Sequence, residues 1–364
     1  MSDRIFAATR KGLFEVRRTQ GRWRIANTSF LGDSVSLVSR PAANGTVYAA
    51  LGLGHFGVKL RASSDGGQRW NELAAPAFPK QPDGVVDTLP DGKPWPWRVE
   101  QIWALEGVGD TLWCGTIGGG LFRSDDGGRS WELVRSLWEH PMRKQWFGGG
   151  TEMPGIHSIC PHPKNAKELL IGVSCGGVWR TLDGGASWEV TSHGMFAEYM
   201  PPERREDPVI QDPHMVSRCA AHPDRLWSQH HNGVFRSDNG GTQWETIPES
   251  APSVFGFAIA AHPTNPDIAW RVPAIKDEVR VPVQAHVVVS RTRDAGKSWE
   301  VLREGLPQEH AYDLTFRHAL DVDASGERVA FGSTTGSLWV SENSGDSWAH
   351  VSAHLPPVYA VRFA

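Results

Sequence analysis

Apolar residues arrive in short runs of about four to six along this chain, each closed by Gly, Asp, Asn, Ser or Pro, and no stretch sustains a long helical period. Such runs read as strands joined by tight turns. Two kinds alternate. Runs of one kind are Arg4–Thr9, Thr46–Leu51, Thr111–Thr116, Leu169–Ser174, Arg225–Gln229, Ile268–Val272 and Arg328–Ser333. Those of the other precede them at Val35–Ser39, Gln101–Leu105, Ile156–Cys160, Val216–Ala220, Phe255–Ala260 and Tyr312–Arg317. A third strand is marked by an aromatic residue (Phe14, Phe122, Trp179, Phe235, Trp339), with a glycine two residues earlier in the first four cases.

Nine residues after each of those aromatics stands a tryptophan that closes an octapeptide, clearest in Ser124-Asp125-Asp126-Gly127-Gly128-Arg129-Ser130-Trp131. Copies end at Trp70, Trp188, Trp244, Trp299 and Trp348, and a worn copy ends at Trp23. Asp or Asn at the third position is expected to bond the backbone two residues on and close a turn. Glycine at the fifth supplies a positive φ, and the tryptophan pins the corner into a core. Seven tryptophans spaced between 47 (70 − 23) and 61 (131 − 70) residues apart define seven units, a period typical of propellers and other repeat arrays.

The octapeptide resembles the Asp-box, or BNR repeat, of the propellers of sialidases, xyloglucan-hydrolysing enzymes and sortilin-type receptors. The resemblance implies a box that joins the third and fourth strands of a blade and faces away from the functional end. The stretch Gln211-Asp212-Pro213-His214 and the C-terminal run Val358–Phe363 are also similar to a group of bacterial BNR-repeat, glycosyl hydrolase-like proteins. The expected fold is therefore all-β: a single seven-bladed β-propeller of four-stranded blades over residues 1–364. The first unit lacks a strand at its start, so residues 358–363 are expected to join residues 4–28 and close the ring, removing open edges. Sialidase activity is not expected, because Arg4-Ile5-Phe6 lacks the proline of the sialidase motif and seven units exceed the six of sialidases.

Strand direction sorts the connections onto two faces. Boxes and first-to-second turns share one face; links between units and second-to-third turns share the other. The long insertions, residues 75–98, 136–154, 191–213 and 273–285, all fall on the second, which makes it the expected functional face.

Composition narrows the partners. A net charge of −4 argues against nucleic acid held by phosphate neutralisation. No apolar run is long enough for a membrane helix, and the N-terminal residues lack a signal-peptide core, so a cytoplasmic protein is expected. Cys114, Cys160, Cys175 and Cys219 form no CxxC pair and read as reduced thiols.

Repetition separates structural from functional polar residues. His162, His222 and His262 recur before proline at first-to-second turns and read as structural, as do the box acids. Residues that occur once at the second face are the candidates: Glu100, His157 and His214 for catalysis, and Arg10, Lys11, His55, Trp97, Trp146, His230, His231 and Tyr312 for ligand binding. Trp95, Trp138 and Tyr199 offer further stacking faces, with packing of the insertions as the plainer role. Glycoside hydrolysis needs two carboxyl groups a few ångströms apart, and Glu100, Glu152, Asp212 and Asp313 are available without a spacing that selects a pair. Cys175 is a weaker nucleophile candidate. No cofactor is expected, since HxH and HExxH spacings are absent, although His157, His214 and His231 could meet around a metal. Three readings stand: a small-molecule or glycan ligand bound, with or without hydrolysis, at the channel mouth; a platform for a protein partner; or His- or metal-assisted chemistry on a small molecule. Whether the chain is an enzyme stays open.

Overall fold

In the computed structural model, which describes residues 1–364 apart from the side chain of Val108, the chain is all-β and built from four-stranded antiparallel sets. In chain order, each set runs from its first to its fourth strand. One comprises Val358–Phe363, Arg4–Thr9, Gly12–Thr19 and Arg22–Ser29; the next comprises Val35–Val38, Val47–Gly52, Val58–Ser63 and Asn71–Leu73. Gln101–Val108, Thr111–Ile117, Leu121–Ser124 and Glu132–Leu133 share one sheet with Gly155–His162, Asn165–Ser174, Gly177–Thr181 and Glu189–Val190, through the pair Gly155 and Ile117. Pro213–Arg218, Leu226–His230, Gly233–Ser237 and Glu245–Ile247 follow, then Gly256–Ala261, Ala269–Pro273, Val289–Thr292 and Glu300–Leu302. Leu320–Val322, Val329–Gly332, Leu338–Ser341 and Ala349–Ser352 complete the series.

The C-terminal strand pairs antiparallel with Arg4–Thr9, Phe363 facing Ile5 and Ala360 facing Ala8. One first strand differs from the sequence reading. Residues 312–317 form no strand; the strand is Leu320–Val322, opposite Val329–Phe331. Tyr312, Leu314 and Phe316 alternate with polar residues as a strand would, but this segment runs extended beside the neighbouring sets instead of joining a ladder.

The six full box turns share one pattern. Gly128 N–H donates to Ser124 Oγ at 2.9 Å, and Asp126 Oδ1 accepts from the N–H groups of Arg129 and Ser130 at 2.8 and 3.0 Å. The acid thus bonds the backbone three and four residues on, not two, because the serine hydroxyl takes the nearer glycine. The same bonds recur at Thr181 with Asp183 and at Thr292 with Asp294. Gly128 has φ +87° and Gly345 +98°, the left-handed geometry that glycine adopts without strain.

Core layers lie between neighbouring sets. Leu170 and Val178 pack with Val216, Phe235 and Trp244; Trp227 and Val234 with Ile259 and Ala269; Trp270 and Val289 with Phe331 and Trp339. Ala330 and Val340 of the last set pack with Ile5, Ala7 and Phe363 of the first. Each sheet therefore buries both faces, which explains why its second strands read as unbroken apolar runs. Each described cysteine is free and buried. Among the described residues no helix is long and apolar enough to cross a membrane.

Candidate functional site

Six first strands slip register by one residue near their entry, leaving Ser36, Trp103, His157, His214, Phe257 and Tyr359 outside the ladder. A bulge at a fixed register bends the strand and re-aims one side chain. Five of these six line a cavity of about 590 Å³; His157 does not. The last set contributes Phe316, Arg317 and His318 from the extended segment before its short first strand.

Three insertions complete the walls, supplying Phe147 to Thr151, Tyr199 with Asp212, and Asp277 with Arg280. The glycine-rich turn has a packing reason: a Cβ on Gly149 would stand 2.4 Å from Cys175 Sγ and 2.9 Å from Ser174 Oγ. Only a bare backbone lets this turn lie against the strand end that holds Asp212.

Asp212 is buried at the cavity wall. Its Oδ1 accepts from Ser174 Oγ at 3.2 Å and Cys175 N–H at 3.1 Å. Its Oδ2 lies 3.3 Å from His214 Nε2 and 3.6 Å from His231 Nδ1. Burial alone would raise this carboxyl; the two imidazoles and Arg317 outweigh it and hold Asp212 well below the usual range. His214 donates Nδ1–H to Gly256 O at 2.7 Å, which leaves Nε2 facing Asp212, and its ring stacks on Phe257 at 4.6 Å. Burial lowers His214. Burial also opposes protonation of His231, but Asp212 and Asp277 raise it overall. Cys175 lines the same wall, yet burial and Asp212 push its thiol well above the ordinary value, the opposite of what a nucleophile needs.

Arg317 is a second buried charged group at the cavity. Its guanidinium lies over Trp103 at 4.8 Å and Phe257 at 5.1 Å, and its buried Nε has no hydrogen-bond partner. Burial draws it down to about 10.

Of the sequence candidates, the cavity gathers His214 and His231, with Asp212 from the carboxylate set and Tyr199 from the stacking set. His157 stays beneath it, 1% exposed, with Nδ1 bonded to Ser158 Oγ at 2.8 Å and its ring edge-on to Trp103. His230 is likewise buried, its ring held between the N–H groups of Asp212 and Asn232 at 3.0 and 3.1 Å, so it backs Asp212 and lies off the cavity lining. Trp146, fully buried against Trp179, belongs to the core, as do Trp95 and Trp138 around Arg143. Trp97 packs on Trp138 and Phe78. Glu100 is paired with Arg98 at 2.8 Å and lies off the cavity lining. Arg10 and Lys11 line a separate recess of about 420 Å³ that shares Ser34 and Tyr359 with the cavity. His55 is exposed against Phe56, and Tyr312 is 56% exposed, neither in the lining. Asp313 takes a hydrogen bond from Ser333 Oγ outside it. The turn histidines behave as expected: His262 Nδ1 accepts from the N–H groups of Thr264 and Asn265, both at 3.0 Å.

Sequence reasoning did not single out Trp103, Phe257, Asp277, Arg280 or Arg317. The first two were legible in principle, as residues at the same register as His214 in other first strands. Arg317 was hidden by the assignment of its segment to a strand.

This architecture is that of the β-propellers. Among solved structures the chain is similar to an ancestral GH74 enzyme, with a TM-score of 0.58 at 19% identity over 86% of this chain and 38% of that one. YCF48 from Cyanidioschyzon merolae matches with a TM-score of 0.52 at 13% identity over 94% of each chain. YCF48 bound to D1 peptide matches at 0.51 and 14% identity, over 88% of this chain and 81% of that one. Among curated proteins the chain is similar to the oligoxyloglucan-reducing end-specific xyloglucanase of Emericella nidulans, 25% identical over 277 residues and 68% of this chain. The chain spans 31% of that relative's length. No protein-family model matches it. The structural likenesses establish the propeller fold, and the sequence likeness is to a glycosidase of that superfamily.

Proposed function

We propose that the chain binds an acidic, carbohydrate-like ligand in the cavity walled by Asp212, His214, His231, Trp103 and Arg317. The observation that carries this reading is Arg317: a guanidinium laid on two aromatic rings, inside a cavity of ligand size, with a buried N–H that nothing in the described chain accepts. A carboxylate is the natural partner for that fork. Trp103, Tyr199 and Phe316 offer the ring faces that sugars stack on, and the xyloglucanase relative supports a glycan over other small molecules. Hydrolysis by paired carboxyl groups would fall to Asp212 and Asp277, the two acids of the lining; Asp277 is paired with Arg280 at 2.5 Å, so the reading is of binding first. Titration calorimetry with acidic oligosaccharides (oligogalacturonides, sialyl-lactose) against neutral xyloglucan oligosaccharides tests it. Acidic ligands should bind, and Arg317→Leu should weaken them at least tenfold, about 1.4 kcal/mol. No heat from any glycan at millimolar concentration, or indifference to Arg317→Leu, refutes it.

The same proposal takes the seven four-stranded sets as blades of one closed ring and one domain over residues 1–364. It is supported by the pairing of Val358–Phe363 with Arg4–Thr9 and by the core layer the last set shares with the first. A cytoplasmic location is supported by four free, buried cysteines.

A protein partner is the second reading, favoured by exposed Leu31, Phe56 and Val86, with Phe56 beside Arg10 and Lys11 in the shallow recess. A partner lost in Phe56→Asp and retained in Arg317→Leu would favour it over the glycan.

A further inference from the structure

We infer that Asp212, His214 and His231 form a binding site for one divalent transition-metal ion, held through Asp212 Oδ2, His214 Nε2 and His231 Nδ1 at the cavity wall. The three donor atoms all lie within 4.8 Å of one another, at 3.3 Å for the first pair and 3.6 Å for Asp212 with His231. Donors at about 2.1 Å from a tetrahedral ion stand about 3.4 Å apart, so the cluster needs little movement to close on one.

The tautomer supplies the second argument. A backbone carbonyl can only accept, so the 2.7 Å bond from His214 to Gly256 O puts the proton on Nδ1 and the lone pair of Nε2 toward Asp212 Oδ2. Nε2 and Oδ2 at 3.3 Å need a cation between them, a proton or a metal ion, and an ion held by all three donors would displace that proton. An imidazole whose outer N–H is held by a carbonyl is the usual posture of a metal-bound histidine. The acid is held in the same way: its other oxygen takes Ser174 Oγ and Cys175 N–H, leaving Oδ2 free for the cluster. Phe255 and Phe257 flank the imidazoles and limit water behind them.

Two imidazoles and one carboxylate suit Zn²⁺, Fe²⁺ or Mn²⁺ more than Mg²⁺ or Ca²⁺, which prefer all-oxygen sets. Three protein donors leave positions open toward the cavity, the pattern of sites where a water or a ligand hydroxyl completes the shell. The ligand set differs from a meeting of three imidazoles: His157 is buried behind Trp103, and Asp212 takes its place.

The test is metal content of untagged protein, read by elemental analysis without any sugar present, so that it stands apart from the glycan reading. About one equivalent per chain is expected, or uptake of one Co²⁺ with visible absorption bands after chelator treatment. Asp212→Asn, nearly isosteric and able to keep its neighbours' N–H and O–H bonds, should abolish it, as should His231→Ala; His157→Ala should retain it. A thermal melt in added Zn²⁺, Mn²⁺ or Co²⁺ gives a second readout: the melting temperature should rise for the native chain and not for Asp212→Asn. Near-zero metal with no shift in the melt overturns the proposal. An equivalent that survives both Asp212→Asn and His231→Ala overturns it equally, because the ion then sits elsewhere.

Discussion

Arg271 offers the sharpest test of how the wall behind His214 is built. It is fully buried, and its guanidinium donates to Gln229 Oε1 at 2.9 Å, Ser250 O at 3.0 Å, Ser253 O at 2.6 Å and Phe255 O at 2.8 Å. The last three of these belong to the link that leads into Gly256, the residue whose own carbonyl orients His214. Burial pulls Arg271 down to about 9, a fall that corresponds to roughly 5 kcal/mol of desolvation cost. Arg271→Met removes that cost and leaves four acceptors without a donor, at about 1–3 kcal/mol each where they stay dry. The middle of the second range less the first leaves a net loss of about 3 kcal/mol, so the unmade bonds win. Urea unfolding followed by tryptophan fluorescence reads it directly. Arg271→Lys, with three donors in place of five, should recover part of the loss. A methionine variant within 1 kcal/mol of the native chain, or more stable than it, would show that the link holds its shape without the guanidinium and refute the reasoning.

Other outcomes follow from the same geometry. His318 is buried, donates to His157 O at 2.8 Å, and is drawn down to about 3 by burial first and by Arg362 and Arg317 after it. The unfolded chain takes up that proton near pH 6.5 and the folded chain does not, so the contribution of His318 to stability should be flat above pH 6.5 and fall by about 1.4 kcal/mol per pH unit below it, toward pH 3. His318→Gln should flatten the slope in this window; equal slopes in acid-unfolding curves would count against it. Deleting residues 358–364 removes four buried apolar side chains, Val358, Ala360, Val361 and Phe363, and bares the edge of Arg4–Thr9. Loss of a cooperative melt is expected, and an unchanged melting temperature would mean that the ring does not depend on this strand.

The fold was largely legible because one physical device repeats. A serine or threonine hydroxyl, an Asp or Asn two residues before the fifth-position glycine, and a closing tryptophan form the same turn in each full copy, so spacing alone located nearly every strand. The turn chemistry was read one step short: Asp126 reaches residues three and four on because Ser124 has already taken Gly128. Leu320–Val322 was missed for a different reason. Three residues give too little alternation to detect, and the longer Tyr312–Phe316 alternation next to it serves an extended wall segment.

The candidate site was legible as a face and only partly as residues. Singularity within a repeat marks where symmetry is broken; it says nothing about which way a side chain points. His157, His230 and Trp146 are unrepeated and buried, while Glu100, His55 and Tyr312 are unrepeated and turned away. The missing variable is the bulge. A residue at the bulge is released from the pleat, so its identity is free to change from Ser36 to Trp103 to His214 while the preceding Val35, Ile102 and Pro213 stay buried and keep the ladder. The repeat thus conserves the strands and frees one position per strand at the same depth. The cavity draws its lining from there because that position can vary without touching the core, and Asp212 and His231 enter the proposed site by standing next to the one such position that carries an imidazole facing the cavity.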